Sequence, residues 1–171
     1  MEKQEFLLLI PAIVFGVAIV DLLKLFSHKK SYFELVGWGV FLMLSIVSTW
    51  MRLFEKLDVV SSSNLLFILI IAQAMLYARA ANIITPEEKH VDTKAYFFSI
   101  IKPFFILFAV IAFFNMLMQY FVFDDHQSGW IRPAGIVLAL ICAYVDKVWV
   151  RTTIMAFFLF IAVTSLIMGI I

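Results

Sequence analysis

The sequence predicts an all-α, polytopic integral membrane protein, with six transmembrane helices in a single domain covering residues 1–171. Three observations carry this expectation. Hydrophobic residues make up 64% of the chain and charged residues only 15%, against about 45–50% and 25% in soluble domains. The apolar residues gather in six long stretches separated by short charged loops. Most of these stretches reach the roughly 20 residues that a helix needs to cross a hydrocarbon core about 30 Å thick. Such helices use nearly the whole chain and leave no length for a soluble domain.

The first span is expected at about 6–26, with Pro11 near its start and Asp21 and Lys24 toward its end. Its flank, Met1-Glu2-Lys3-Gln4-Glu5, lacks the basic run of a signal peptide and no small-residue cleavage site follows, so it reads as a retained helix. The second and third spans fall at about 32–54 and 64–84. Thr85-Pro86-Glu87-Glu88 then has the pattern of a helix start: a capping hydroxyl, proline at the first position and a carboxylate three residues on. It predicts a short interfacial helix before the fourth span, reaching Ile101. Val91, Tyr96, Phe97, Ile100 and Ile101 would lie in the interface, with Lys94 and Lys102 among the headgroups. Pro103 ends or kinks this helix, and the fourth span follows at about 103–123.

The fifth span is the shortest. Pro133 to Val145 is only 13 residues, roughly 20 Å of helix at about 1.5 Å per residue, so it is extended to about 130–146. No Gly or Pro marks the turn into the sixth span, at about 152–171. Loops after the odd-numbered spans hold nine of the 13 basic residues: Lys24, Lys29, Lys30, Arg79, Lys89, Lys94, Lys102, Lys147 and Arg151. The positive-inside rule therefore puts those loops in the cytoplasm and both termini outside, and continuous helices rather than strands point to the inner (plasma) membrane. Trp38 and Trp149 fall toward the inner side and Trp50 and Trp130 toward the outer, as aromatic belts require.

Two patterns bear on packing. Pro11 and Pro103, and likewise Gly37-Trp38 and Gly129-Trp130, are offset by 92 residues, which raises an inverted repeat of three helices each. Little other identity lies between these anchors. Gly135, Ala139 and Ala143 recur every fourth residue, as do Ala12 with Gly16 and Ala74 with Ala78. Such ridges let helices approach closely in lipid, and packing within the chain is a simpler use for them than a dimer seam.

Polar residues within the spans are the candidate functional groups, because they are costly in hydrocarbon. Asp21, Lys24, Glu34, Arg79, Asn82 and Asp146, with Lys147 and Arg151, all fall toward the cytoplasmic half. They form either a girdle of ion pairs at the headgroups or a proton- or ion-coupled site, with Asp21 titrating against Arg79. Gln73 and Tyr77 are one turn apart in the third span, while Asn115 and Gln119 share a face of the fourth. Interhelical hydrogen bonds account for them, and a polar path for a small solute is the sharper alternative.

Asp124, Asp125 and His126, with Glu55 or Asp58 from the neighbouring loop, are weak candidates for a divalent metal, since adjacent residues seldom converge on one ion. No nucleophile–base spacing, paired zinc histidines or glycine-rich phosphate loop accompanies them. No cofactor motif is present, and nothing points to nucleic acid. Cys142, the single cysteine, forms no disulfide within the chain. His28-Lys29-Lys30 with Lys24 makes a small basic cluster suited to anionic lipid. The leading expectation is a small permease or channel-like protein with its polar cluster in the cytoplasmic half of the bundle. A non-catalytic subunit or scaffold, packed against other membrane proteins or further copies of itself, comes second. An outward-facing metal-dependent enzyme acting on lipid headgroups comes third.

Overall fold

The computed structural model describes residues 3–27, 31–56, 58–59, 63–87, 92–123 and 131–168. Its elements are α1 (Lys3–Leu23), a 3-10 turn (Lys24–Ser27), α2 (Phe33–Glu55), α3 (Asn64–Ile84), α4 (Thr93–Met118), a π turn (Gln119–Phe123), α5 (Ile131–Tyr144) and α6 (Val148–Met168). No strand occurs among the described residues. Where no water can hydrate peptide groups, a helix satisfies its own backbone, and that is why apolar sequence of this length adopts it. Five of the helices are long and apolar enough to cross a membrane. The chain is a polytopic helical membrane protein.

Helix α5 is the exception in length. Its 14 residues span about 21 Å at 1.5 Å per residue, short of a hydrocarbon core about 30 Å thick. It stops at Tyr144, three non-helical residues follow, and α6 begins at Val148. Neither glycine nor proline makes this stop. Arg151 reaches back from α6 and donates from Nη1 to the Val145 carbonyl at 3.0 Å, taking the place of the helical partner that carbonyl lacks.

The interfacial helix expected at 85–101 is not a separate element. Thr85 closes α3, and its hydroxyl donates to the Asp21 carbonyl at 3.2 Å. The cap of the next helix is Asp92, whose carboxylate accepts from the Lys94 and Ala95 backbone N–H groups. From Thr93 a single helix of 26 residues passes through Pro103 to Met118, about 39 Å by helical rise and longer than the core it crosses. Val91 lies outside the described residues. At this end the Tyr32 N–H donates to Thr93 Oγ1 at 2.9 Å and the Tyr96 hydroxyl donates to the Ile83 carbonyl at 2.7 Å. Together with Thr85, these bonds tie α1 to α3, the start of α2 to α4, and α3 to α4.

Helix α4 packs most closely on α5, and α1 on α3; α2 pairs with α6. An inverted repeat would match the α1–α3 contact with one between α4 and α6, but α4 closes on α5 instead, so the 92-residue offset does not extend to the packing. Gly135, Ala139 and Ala143 are buried, as is Ala74, and these small residues let backbones approach inside the chain. Gly16 differs: it is exposed, and a Cβ there would meet nothing within 4 Å. Trp38 also departs from expectation. Instead of sitting in an interfacial belt it is fully buried, ringed by Phe41, Phe104, Phe105, Phe108 and Phe158, with centroids 4.8 Å away at the closest. Beside it on α2, Gly37 lies against Met155 of α6, where a Cβ would collide with the Met155 sulfur.

These contacts give a contrast. Ala139→Leu, which overfills a fully buried position, is expected to cost about 1–3 kcal/mol. Gly16→Leu, into open space, is expected to leave stability unchanged or slightly raised. Thermal unfolding of the two variants in one detergent measures the difference.

Candidate functional site

Helix α2 organises the polar groups. Glu34, Trp38, Phe41, Ser45, Ser48 and Arg52 follow one another at spacings of three and four residues, which puts them on one face. Along that face the environment changes from a buried ion pair, through an aromatic plug, to a polar cavity.

The ion pair joins α2 to α6. Arg151 donates from Nε to Glu34 Oε1 and from Nη2 to Oε2, both at 3.3 Å, and both side chains are 0% exposed. The Tyr32 hydroxyl adds a third donor to Oε2 at 2.7 Å. The guanidinium spends its remaining reach on the Val145 carbonyl and lies 5.3 Å from the centre of the Phe98 ring. A buried charge pair is tolerable only when such additional partners occupy the remaining donors and acceptors. Tyr32, just outside α2, has its phenol pushed up to about 12, by burial first and then by its hydrogen bond to the Glu34 carboxylate.

The cavity has a volume of about 230 Å³ and lies between α2, α3, α4, α5 and α6. Phe41, Phe108 and Phe158, which pack on Trp38, form its apolar floor. Ser45, Ser48, Thr49 and Arg52 of α2 line one wall, and Ser165 of α6 lies beside them. The opposite wall is a hydrogen-bonded chain. The Gln73 side-chain N–H donates to Asn115 Oδ1, Asn115 Nδ2 donates to Tyr77 Oη at 3.1 Å, and Tyr77 and Thr49 share a bond of 3.3 Å. Arg132 of α5 donates to the Asn115 backbone carbonyl at 2.8 Å. That carbonyl also receives the Gln119 N–H where the helix loosens into its π turn; turns of this kind recur at functional sites. Two buried side-chain polar atoms lack a partner among the described residues, Trp38 Nε1 in the aromatic cage and one on Gln73. Gln73 is 2% exposed, and its Oε1 has no hydrogen-bond partner among the described residues.

The sequence candidates therefore separate into distinct sets. Gln73 and Asn115 meet in the cavity, and Gln119 is buried in the π turn behind Asn115. Glu34 belongs to the ion pair. Asp21 pairs with Lys24 at 2.5 Å, one turn along its own helix, while Arg79 donates to Asn82 at 3.2 Å on an exposed surface. Asp21 and Arg79 are thus held by different partners. Asp146 is exposed in the α5–α6 turn. Asp124, Asp125 and His126 lie outside the described residues, and among those that are described no three metal-ligating side chains converge. Tyr32, Arg52, Arg132 and the hydroxyls of α2 are not singled out by the sequence, and Arg151, placed in the cytoplasmic cluster, is not paired there with Glu34. The signal for the α2 groups was the three-four spacing that aligns Glu34 with Ser45, Ser48 and Arg52.

Glu34→Gln leaves a buried guanidinium without its counter-charge and is expected to destabilise the fold by about 3–5 kcal/mol. Replacing both partners, Glu34→Leu with Arg151→Met, should recover most of that loss in the same unfolding measurement. Tyr32 gives a pH signature. Its folded value lies above the ordinary 10.0, so its contribution is complete below pH 10 and is lost as pH rises to about 12. Tyr32→Phe should flatten the decline in stability over that window relative to the unsubstituted chain.

Comparison of the chain with protein-family models, with curated proteins and with solved structures finds no match.

Proposed function

We propose that this chain is a small permease or channel-like protein of the inner (plasma) membrane, with the α2–α6 cavity as its solute site. The observation that carries the reading is the cavity's composition. Two guanidiniums, several hydroxyls and two carboxamides line one space inside an apolar bundle. Bringing charged and polar groups into an apolar bundle is expensive, and here they line one shared space. A solute that replaces water in that space gives them a use.

The rest of the α2 face supports a one-sided pathway. Below the cavity, Trp38 and its phenylalanines block the bundle, and beyond them the Glu34–Arg151 pair joins α2 to α6. A solute entering from the Arg52 and Arg132 end meets a closed floor. Passage then requires α2 and α6 to part at the ion pair, which is the alternating opening expected of a carrier. Lys24, Arg79, Lys94, Lys102, Lys147 and Arg151 gather toward the Glu34 end, and the positive-inside rule favours a cytoplasmic position for it. The cavity would then open to the outside.

The test is solute-driven swelling of proteoliposomes, with small organic acids, amines and polyols as separate probes. Ser48→Trp fills the cavity from its wall and is expected to reduce uptake of the transported class to the level of empty liposomes. Asp21→Asn, away from the cavity, should leave uptake unchanged. Equal uptake by Ser48→Trp and the unsubstituted chain would overturn the proposal, as would the absence of uptake for every probe.

A further inference from the structure

We propose that the α2–α6 cavity takes a small uncharged polyol, its hydroxyl edge against Ser45, Ser48 and Ser165 and its carbon edge on the phenylalanine floor. This rests on the permease reading for the cavity's role and adds the class of solute to it.

The serines carry the assignment. A hydroxyl within a helix commonly bonds to a carbonyl three or four residues back, and this chain does so repeatedly. Thr152 donates to the Val148 carbonyl at 3.0 Å, Thr153 to that of Trp149 at 2.9 Å and Thr164 to that of Phe160 at 2.8 Å. Ser45, Ser48 and Ser165 differ: among the described residues no hydrogen bond reaches their hydroxyls. All three are half-buried and line the cavity, two from α2 and one from α6. Enclosed side-chain atoms that lack partners belong, among the described residues, to Trp38 and Gln73 alone, so the serine oxygens keep access to the cavity. Thr164 and Ser165 are neighbours on α6, yet only Ser165 lines the cavity and only Thr164 is satisfied by its own helix.

The chemistry of these groups narrows the solute. Each serine hydroxyl has one proton to donate and two lone pairs to fill. A carboxylate only accepts and an ammonium only donates, whereas an alcohol does both. Arg52 and Arg132 also line the cavity, but each is engaged within the chain, so neither calls for a charged solute. Open hydroxyls on two paired helices suit a solute with several hydroxyls along one carbon chain. Its C–H edge meets the floor, where Phe41, Phe108 and Phe158 present only carbon. A volume of about 230 Å³ equals that of roughly seven water molecules at about 30 Å³ each. That accommodates a polyol of xylitol size and excludes a disaccharide.

The test is ligand-detected saturation-transfer NMR of the full chain in phosphatidylcholine nanodiscs, titrated with compounds of one carbon skeleton: xylitol, xylonate, aminodeoxyxylitol and pentanediol. Xylitol is expected to bind tightest. Pentanediol, which keeps only the terminal hydroxyls, should bind at least about tenfold more weakly, the loss of more than one neutral hydrogen bond. Xylonate and aminodeoxyxylitol, each charged at one end, should both fall below xylitol. Ser48→Ala and Ser165→Ala are each expected to weaken xylitol about fivefold, the value of one neutral hydrogen bond. Thr164→Val removes a hydroxyl engaged on its own helix and should leave xylitol binding unchanged, which separates contact with the solute from a general effect on α6.

Pentanediol binding as tightly as xylitol would overturn the proposal, as would serine variants that bind xylitol like the unsubstituted chain; the hydroxyls would then serve water alone. Xylonate or aminodeoxyxylitol binding tightest would give the cavity to a charged solute instead. If xylitol fails to bind while organic acids or amines drive Ser48-dependent swelling, the solute class is wrong and the permease reading stands. If no probe drives swelling, the permease reading itself fails, and xylitol binding would then mark a ligand site without transport.

Discussion

A carboxylate and a guanidinium without water around them must neutralise one another and also find partners for every remaining lone pair and proton. Glu34 and Arg151 meet that demand with groups drawn from across the bundle: the Tyr32 hydroxyl, the Val145 carbonyl and the Phe98 ring face. The consequences extend beyond the pair. Arg151 ends α5 where the sequence has no other stop signal, so a charge on α6 sets the length of its neighbour. Tyr32 binds Glu34 through its hydroxyl and Thr93 through its backbone, which joins the start of α2 to the start of α4. One ion pair thereby fixes how four helices meet at one end.

The other end follows the opposite rule. Around the cavity, Gln73, Asn115, Tyr77 and Thr49 satisfy one another in a chain that stops one acceptor short, at Gln73 Oε1. Between the closed set and the open one lies the Trp38 cage, whose edge-to-face rings fill the bundle with carbon. The buried ion pair and the polar cavity thus occupy separate stretches of the same α2 face. A change at Glu34 acts on the fold first, while a change at Ser48 or Gln73 acts on the cavity first.

The fold class was legible because hydropathy and length report directly on the solvent. The faces of the helices were not. Segments that are apolar all round carry almost no amphipathic signal, so the direction a polar residue points is hidden until its neighbours are known. Asp21 drew attention as an acid inside an apolar run, yet its partner is Lys24, one turn away. Glu34 read as an interfacial residue because it opens its span, and the cation that buries it lies 117 residues later in the chain. Thr85-Pro86-Glu87-Glu88 carries a sound helix-start pattern, but the Thr85 hydroxyl is already engaged with the Asp21 carbonyl and Asp92 caps the helix instead. Gln73 and Asn115 were recognised as polar groups in mid-span; that they share one wall depends on α3 and α4 packing side by side, which no spacing within either helix encodes.

The central claim is a bundle sealed at the Glu34 end and open to water along the other half of α2. Thiol accessibility in intact membranes tests it most directly. Native Cys142 is buried beside the ion pair and is expected to resist a membrane-impermeant maleimide added to either side. A cysteine at Ser48, placed in a Cys142→Ala background, is expected to react from one side only. Rapid labelling of Cys142, or a Ser48 cysteine that stays unreactive from both sides, would contradict the account.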